Sequence, residues 1–181
     1  MPIGISIGAI RVRLAASANI MSIAPIIGQN WGAGRFDRVD SALKTAYWFA
    51  LGWGLFSFIV LFTAGPVALT WISDDPEVVV AATAHLSILP IGMGLMGVIA
   101  IATSSFNALG RPNPPLMISV IQMLCLSVPF ALIGNEWFGY VGILWGSVAS
   151  IFVTAGLSFF WLRVSMKPEE SLITSDARTA S

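Results

Sequence analysis

The chain has 181 residues, with nine Lys and Arg, nine Asp and Glu, one His and a formal net charge of zero. Charged residues make up 10% and hydrophobic residues 56% of the chain, whereas a soluble domain carries about 25% charged residues. This composition nearly excludes a soluble domain, which needs a polar surface. It also argues against a disordered chain, which needs a high net charge, and against a nucleic-acid-binding protein, which needs a basic face. It indicates an integral membrane protein.

Five charge-free stretches of the sequence are long enough to cross the roughly 30 Å hydrocarbon layer as helices. They are continuously apolar instead of alternating with a period of two, which favours helices over strands. We therefore predict an all-α integral membrane domain at residues 14–164 with about five spans, flanked by an irregular, truncated N-terminus at 1–13 and a polar cytoplasmic tail at 165–181. The predicted spans are 14–34, 46–72, 78–109, 115–135 and 139–162.

Helix-breaking signals separate these spans. Asp75 can cap a helix whose first position is Pro76, and Gly110 followed by Pro112 is typical of a helix end and a new start. The stretch 135–139, which ends in Gly139, predicts another break. Within the connection after the first span, Asp40 and Lys44 have the spacing of a pair on one helix face.

The basic residues predict the orientation of the spans. Their number in the successive connections and the tail is three, zero, one, zero and three. Because basic loops face the cytoplasm, Arg35, Arg38 and Arg111 are predicted to lie there together with the C-terminus. Arg11 and Arg13 fall on the outer side and break this rule.

Enzyme chemistry has no sequence support. No HExxH, GxSxG or P-loop motif occurs, and the chain has a single histidine, His85, and a single cysteine, Cys125. All nine acidic residues lie in predicted loops, caps or the tail, so no span contains the carboxylate that usually carries a coupling ion. We predict that the protein is not an enzyme and binds no metal or other cofactor.

Four segments have a distinctive sequence that hydropathy alone does not explain. They read PIIGQNWGAGRFDRV at 25–39, ISDDPEVV at 72–79, FNALGRPNPP at 106–115 and VGILWGSVAS at 141–150. In this order and spacing they resemble the multidrug and toxic compound extrusion (MATE) transporters. The chain is similar to helices 8–12 of these twelve-helix proteins, which form most of the C-terminal lobe.

The resemblance implies a function. MATE transporters export cationic or amphipathic compounds in exchange for protons or sodium ions. The chain is then part of such an antiporter in a bacterial inner membrane, inactive without the N-terminal lobe. The implied partners are the lipid bilayer, small-molecule drugs and cations, and that lobe, but no nucleic acid. Two alternatives stay open: a lipid-linked-sugar flippase relative, and a non-transporting structural or regulatory fragment. An aspartate that some sodium-coupled relatives have in the matching helix falls here near Val98, so the ion site does not carry over.

Three sets of candidate site residues follow from these patterns, each with a structural alternative. Polar side chains within the spans could line a substrate cavity or gate, or could simply join helices: Gln29, Asn30, His85, Asn107 and Gln122. The motif and loop residues could set gating-loop geometry or only packing and orientation: Gly28, Gly32, Gly34, Arg35, Arg38, Gly110 and Arg111. Residues that bend helices are candidate hinges: Pro90, Gly92, Gly94 and Pro129.

Overall fold

A computed structural model describes residues 23–72 and 75–179 of the chain. Every element in these ranges is helical, and no strand occurs there, which confirms the predicted all-α membrane fold. Two helical stretches are interrupted, one by a 3-10 turn, Leu89–Gly92, and the other by a π-helical segment, Ile121–Ser127. The helices are α1 Ile23–Gly32, α2 Phe36–Ile72, α3 Pro76–Ile88, α4 Met93–Ala108, α5 Asn113–Val120 and α6 Val128–Thr179.

Three apolar helical stretches within the described residues are long enough to cross a membrane: Phe36–Leu69, Pro76–Ala108 and Asn113–Met166. The last stretch has 54 residues and would be about 80 Å long if it were straight. It is not straight, because the backbone at Gly139 leaves the helical region, with φ 59° and ψ −140°. Gly139 therefore divides this stretch into the two arms of a helical hairpin, on which the predicted spans 115–135 and 139–162 lie.

The other predicted segments lie on the structure as follows. Of the span 14–34, the described part is α1, whereas the segment 1–13 with Arg11 and Arg13 lies outside the described residues. The helix α2 starts ten residues before the predicted span 46–72, at Phe36. The tail is helical as far as Thr179. The five span boundaries remain predictions.

The start of α3 follows from its capping residues. The carboxylate of Asp75 accepts a hydrogen bond from the backbone N–H of Glu77 at 3.0 Å, with Pro76 at the first helical position. Proline is suited to that position because its missing N–H would have no helical partner there. The second proline of this span, Pro90, lies in the 3-10 turn that interrupts the helix, because a proline cannot donate the helical hydrogen bond of its position.

Most of the core is at one end of the bundle. Residues of α1, α2, α4, α5 and α6 pack there into one apolar cluster, and a smaller cluster forms at the other end around Ile88, Leu144 and Val148. The cluster holds the two halves of the sequence together. Its fully buried members are Ile27, Leu43, Ala102, Phe106, Ile118 and Leu162.

Small residues let the helices approach closely. The α-carbon of Gly94 on α4 lies directly against Gly54 on α2, and a Cβ atom added at Gly97 would lie 2.8 Å from the Ala50 Cβ. In the hairpin, Gly142 faces Gly134, and Gly146 faces the backbone of Phe130. Such contacts are the usual source of helix association in a membrane, where apolar burial contributes little.

The stripe of small residues continues along α6. Ser150, Thr154 and Ser158 follow Gly142 and Gly146 at intervals of four residues and are buried. Each hydroxyl donates a 2.7 Å hydrogen bond to a carbonyl of its own helix. The polar atoms are thereby paired without a partner helix, so this face can pack closely against its neighbours.

The hairpin contact predicts opposite effects for two glycine substitutions on α6. Gly142→Ala should destabilise the fold by about 1–3 kcal/mol, because the new methyl group overlaps the Gly134 carbonyl. Gly156→Ala meets no atom within 4 Å and should be neutral or stabilising, since alanine is the better helix former. Unfolding of both variants in detergent checks this. Equal loss of stability in the two would contradict the close contact.

Candidate functional site

An open groove of about 600 Å³ lies between α1 and α4. This volume is within the range of about 300–1,000 Å³ that is common for small-molecule sites. None of the described residues that line the groove is charged. The lining combines small apolar residues with two amides and a hydroxyl: Ala24, Pro25, Gly28, Gln29, Ser104, Asn107 and Ala108.

The core fixes the two walls of the groove. Ile27 on α1 and Phe106 on α4 are fully buried, and they anchor the two helices from whose other faces Gln29 and Asn107 project. Gly28 sets the distance between the walls, because a Cβ atom at this position would lie 3.3 Å from the Ala108 carbonyl oxygen. The sequence motifs thus contribute both a close helix contact and the polar groups beside it.

The amides of Gln29 and Asn107 are available to a ligand. Both side chains are exposed and form no hydrogen bond with any described residue. A primary amide can donate and accept hydrogen bonds while remaining neutral. These groups suit the apolar body and a neutral polar edge of an amphipathic compound, and no carboxylate is among the described residues that line the groove.

The remaining polar candidates lie elsewhere. The Asn30 amide donates a 2.8 Å hydrogen bond to the Ile26 carbonyl of its own helix. Gln122 is half-buried in the π-helical segment, and His85 is exposed on α3. None of these three residues lines the groove.

The same turn ends α1 and α4. Gly34 and Gly110 have φ values of 67° and 72°, and the N–H of the following arginine donates to a carbonyl five residues earlier. The N–H of Arg35 reaches the Asn30 carbonyl at 2.8 Å, and the N–H of Arg111 reaches the Phe106 carbonyl at 2.9 Å. These are Schellman caps, in which glycine adopts the left-handed conformation. Gly32 is the last residue of α1, and an added Cβ atom there would meet nothing within 4 Å.

The arginines of these loops differ in their surroundings. Arg35 and Arg38 are exposed, whereas Arg111 is half-buried. The Arg111 guanidinium donates to the Ser165 carbonyl on α6 at 3.5 Å. The loop between α4 and α5 is thereby attached to the second arm of the hairpin.

A charged cluster joins α2 to α6 near these loops. Asp40 accepts hydrogen bonds from Lys44, at 2.6 Å on the same helix, and from Arg163, 123 residues further along the chain. The Arg163 guanidinium also lies over the Phe159 ring, 5.4 Å from its centroid. The spacing of Asp40 and Lys44 predicts their pairing from sequence, but no sequence signal identifies Arg163 as a partner.

The hinge candidates lie at helix interruptions or packing contacts. Pro90 and Gly92 belong to the buried 3-10 turn, and Pro129 follows the π-helical segment. A Cβ atom would lie 3.0 Å from Ile151 at Gly92 and 3.3 Å from the Ala50 carbonyl oxygen at Gly94. Both glycines therefore have a packing role, and a hinge role remains a prediction.

The long apolar helices define a polytopic helical membrane protein. The family model of MatE matches residues 3–133, so the chain belongs to the MatE family of transporters. It is 33% identical over 134 residues to the FAD transporter of Shewanella oneidensis, an alignment that covers 74% of this chain and 29% of that protein. It is 34% identical over 104 residues to the probable multidrug resistance protein NorM of Aromatoleum aromaticum, covering 56% of this chain and 22% of that protein.

Solved structures show the same fold. The bent form of the MATE transporter VcmN of Vibrio cholerae superposes with a TM-score of 0.79 at 24% identity, over 84% of this chain and 35% of that chain. An inward-facing and an outward-facing MATE transporter give TM-scores of 0.76 and 0.74. The chain spans about a third or less of the length of these relatives.

The Schellman caps predict which glycines of the motif are needed. Alanine at Gly34 or Gly110 should destabilise the fold by about 1–2 kcal/mol, because a Cβ atom is strained in the left-handed conformation. Alanine at Gly32, the last helical residue of α1, is the matched control and should have no such effect, because Gly32 has no positive φ and has open space around it. Detergent-induced or thermal unfolding measures the difference. A Gly32→Ala variant as unstable as Gly34→Ala would contradict the assignment.

Proposed function

We propose that the chain forms part of the C-terminal lobe of a MATE-type exporter, and that the groove between α1 and α4 contacts the transported compound. The main support for this proposal is that Gln29 and Asn107 line the same groove in a chain of the MatE family. The substrates are amphipathic compounds whose apolar body fits the groove while a polar edge binds the amides. The relative named as a probable multidrug resistance protein supports this class of substrate.

Flavin nucleotides are a second candidate substrate. The relative named as an FAD transporter is 33% identical to this chain, and the neutral amides of the groove can pair with the amide-like edge of a flavin ring. The amphipathic compounds and the flavin nucleotides are both candidate substrates of a MATE-type transporter. The matched relatives do not favour a lipid-linked-sugar flippase.

Ion coupling is proposed to depend on a complementary helical lobe. The acidic side chains described in the structure lie near helix ends or connections: Asp37, Asp40, Asp75, Glu77 and Glu136. A proton or sodium ion that drives antiport needs a carboxylate within the membrane, and the other lobe would supply it. Transport by this chain would then require that lobe.

Efflux of ethidium from pump-deficient bacterial cells tests the groove. The chain alone should leave ethidium accumulation unchanged, and co-expression with the N-terminal helices of a MatE-family relative should lower it. In the active pair, the Gln29→Ala and Asn107→Ala variants should each slow efflux about fivefold, the effect of losing one hydrogen bond.

Asn135→Ala is the matched control, because this exposed residue lies in the hairpin arm, outside the groove. Equal efflux by the groove variants and the control, at equal membrane abundance, would contradict substrate contact. Unchanged accumulation in the active pairing itself would favour the non-transporting alternative.

In the proposed orientation, the C-terminus and the turns at Gly34–Arg35 and Gly110–Arg111 lie in the cytoplasm. In a Cys125→Ser background, Glu136→Cys should react with an impermeant maleimide added outside intact spheroplasts, because it lies at the far end of the hairpin. Asp37→Cys should react only after permeabilisation. External labelling of Asp37→Cys would reverse the orientation.

A further inference from the structure

The junction between α2 and α6 has three features that belong together. Asp40 on α2 holds two cations, Lys44 and Arg163. Leu43, which follows Asp40 by three residues on α2, is fully buried. One turn further along α2, the Tyr47 side chain is only 8% exposed, and its hydroxyl has no hydrogen-bond partner among the described residues.

The two cations are not equivalent. Arg163 is the partner from the distant helix and is oriented by the Phe159 ring beneath it. Lys44 comes from the same helix as Asp40, and its side chain is 63% exposed. If α2 and α6 separate, Lys44 stays with Asp40, so the carboxylate keeps a partner after Arg163 has left. Separation therefore does not leave an unpaired charge on α2.

The buried tyrosine opposes the ion pair. The Tyr47 ring packs edge-on against Phe159, with the centroids 5.3 Å apart, so it shares the aromatic ring that supports Arg163. A buried hydroxyl without a partner is unfavourable. Separation of α2 and α6 would give it water, so the closed junction is stabilised by Arg163 and destabilised by the Tyr47 hydroxyl.

We propose that Asp40, Lys44, Arg163 and Tyr47 form a conformational latch, which closes α2 onto α6 in this structure and releases them in a second state. Arg163 supplies the closing contact, Lys44 keeps Asp40 paired when the latch is open, and the Tyr47 hydroxyl favours opening. A static ion pair would need neither the second cation nor the unpaired hydroxyl.

The test measures the opening of the latch through a buried thiol. In the full chain in lipid nanodiscs, with Cys125→Ser, a Leu43→Cys reporter is allowed to react with a water-soluble maleimide. Asp40→Asn should raise the reaction rate about three- to fivefold, as expected for loss of a partly exposed ion pair. Lys44→Gln and Tyr47→Phe should both lower the rate, because the first removes the partner of the open state and the second removes the buried hydroxyl.

Two controls separate a latch from a general loss of stability. Asp37→Asn removes an exposed carboxylate from the first turn of the same helix and should leave the rate unchanged. A reporter at Thr154→Cys, a buried position that precedes Phe159 and Arg163 on α6, should react equally slowly in all variants. Asp40→Asn and Arg163→Gln remove the two sides of the same ion pair. The double variant should therefore react no faster than the faster of these two single variants.

Three results would overturn the latch. The first is equal rates for Asp40→Asn and Asp37→Asn, and the second is a parallel rise at Thr154→Cys. The third is a faster reaction in Tyr47→Phe, which would mean that the hydroxyl stabilises the closed junction.

Discussion

Backbone N–H and C=O groups cannot remain unpaired in hydrocarbon, and the connections of this bundle meet that requirement with very few residues. The caps after α1 and α4 return the N–H of an arginine to a carbonyl of the helix that has just ended. The hairpin reverses at the single residue Gly139. Buried hydroxyls on α6 bond to their own helix. Because these backbone groups and hydroxyls are paired within their own helices, most of the contacts between the described helices are left to packing.

Packing in turn determines which pairs of helices leave space between them for a solute. Glycines bring α2 to α4 and the two hairpin arms into backbone contact, and these contacts leave no room for a solute. The pair α1 and α4 differs, because Gly28 brings the helices close at one point while the groove stays open beside it. The sequence identifies Gln29 and Asn107 as single candidates, whereas their grouping in one groove depends on how α1 and α4 cross in three dimensions.

Local rules predicted the parts of the fold that depend on neighbouring residues. The cap at Asp75 and Pro76 and the glycine turn at Gly110 are read directly from short motifs. Pairing between distant residues could not be read in this way: neither Arg163 with Asp40 nor Ser104 in the groove has a local signal. The π-helical segment Ile121–Ser127 also escaped prediction, because hydropathy does not distinguish it from an α-helix. The hairpin reverses at the last residue of the predicted break, since only Gly139 there has a positive φ.

The reversal at Gly139 has a consequence for protein engineering. Since the connection consists of one residue between two packed helical arms, no loop there can accept an epitope tag, a protease site or a fused domain without separating Gly134 from Gly142. In the turn after α1, Gly34 and Arg35 are both exposed, and an added Cβ atom at Gly34 would meet nothing within 4 Å. Insertions that report on the chain inside a cell therefore belong at the arginine-bearing end of the bundle.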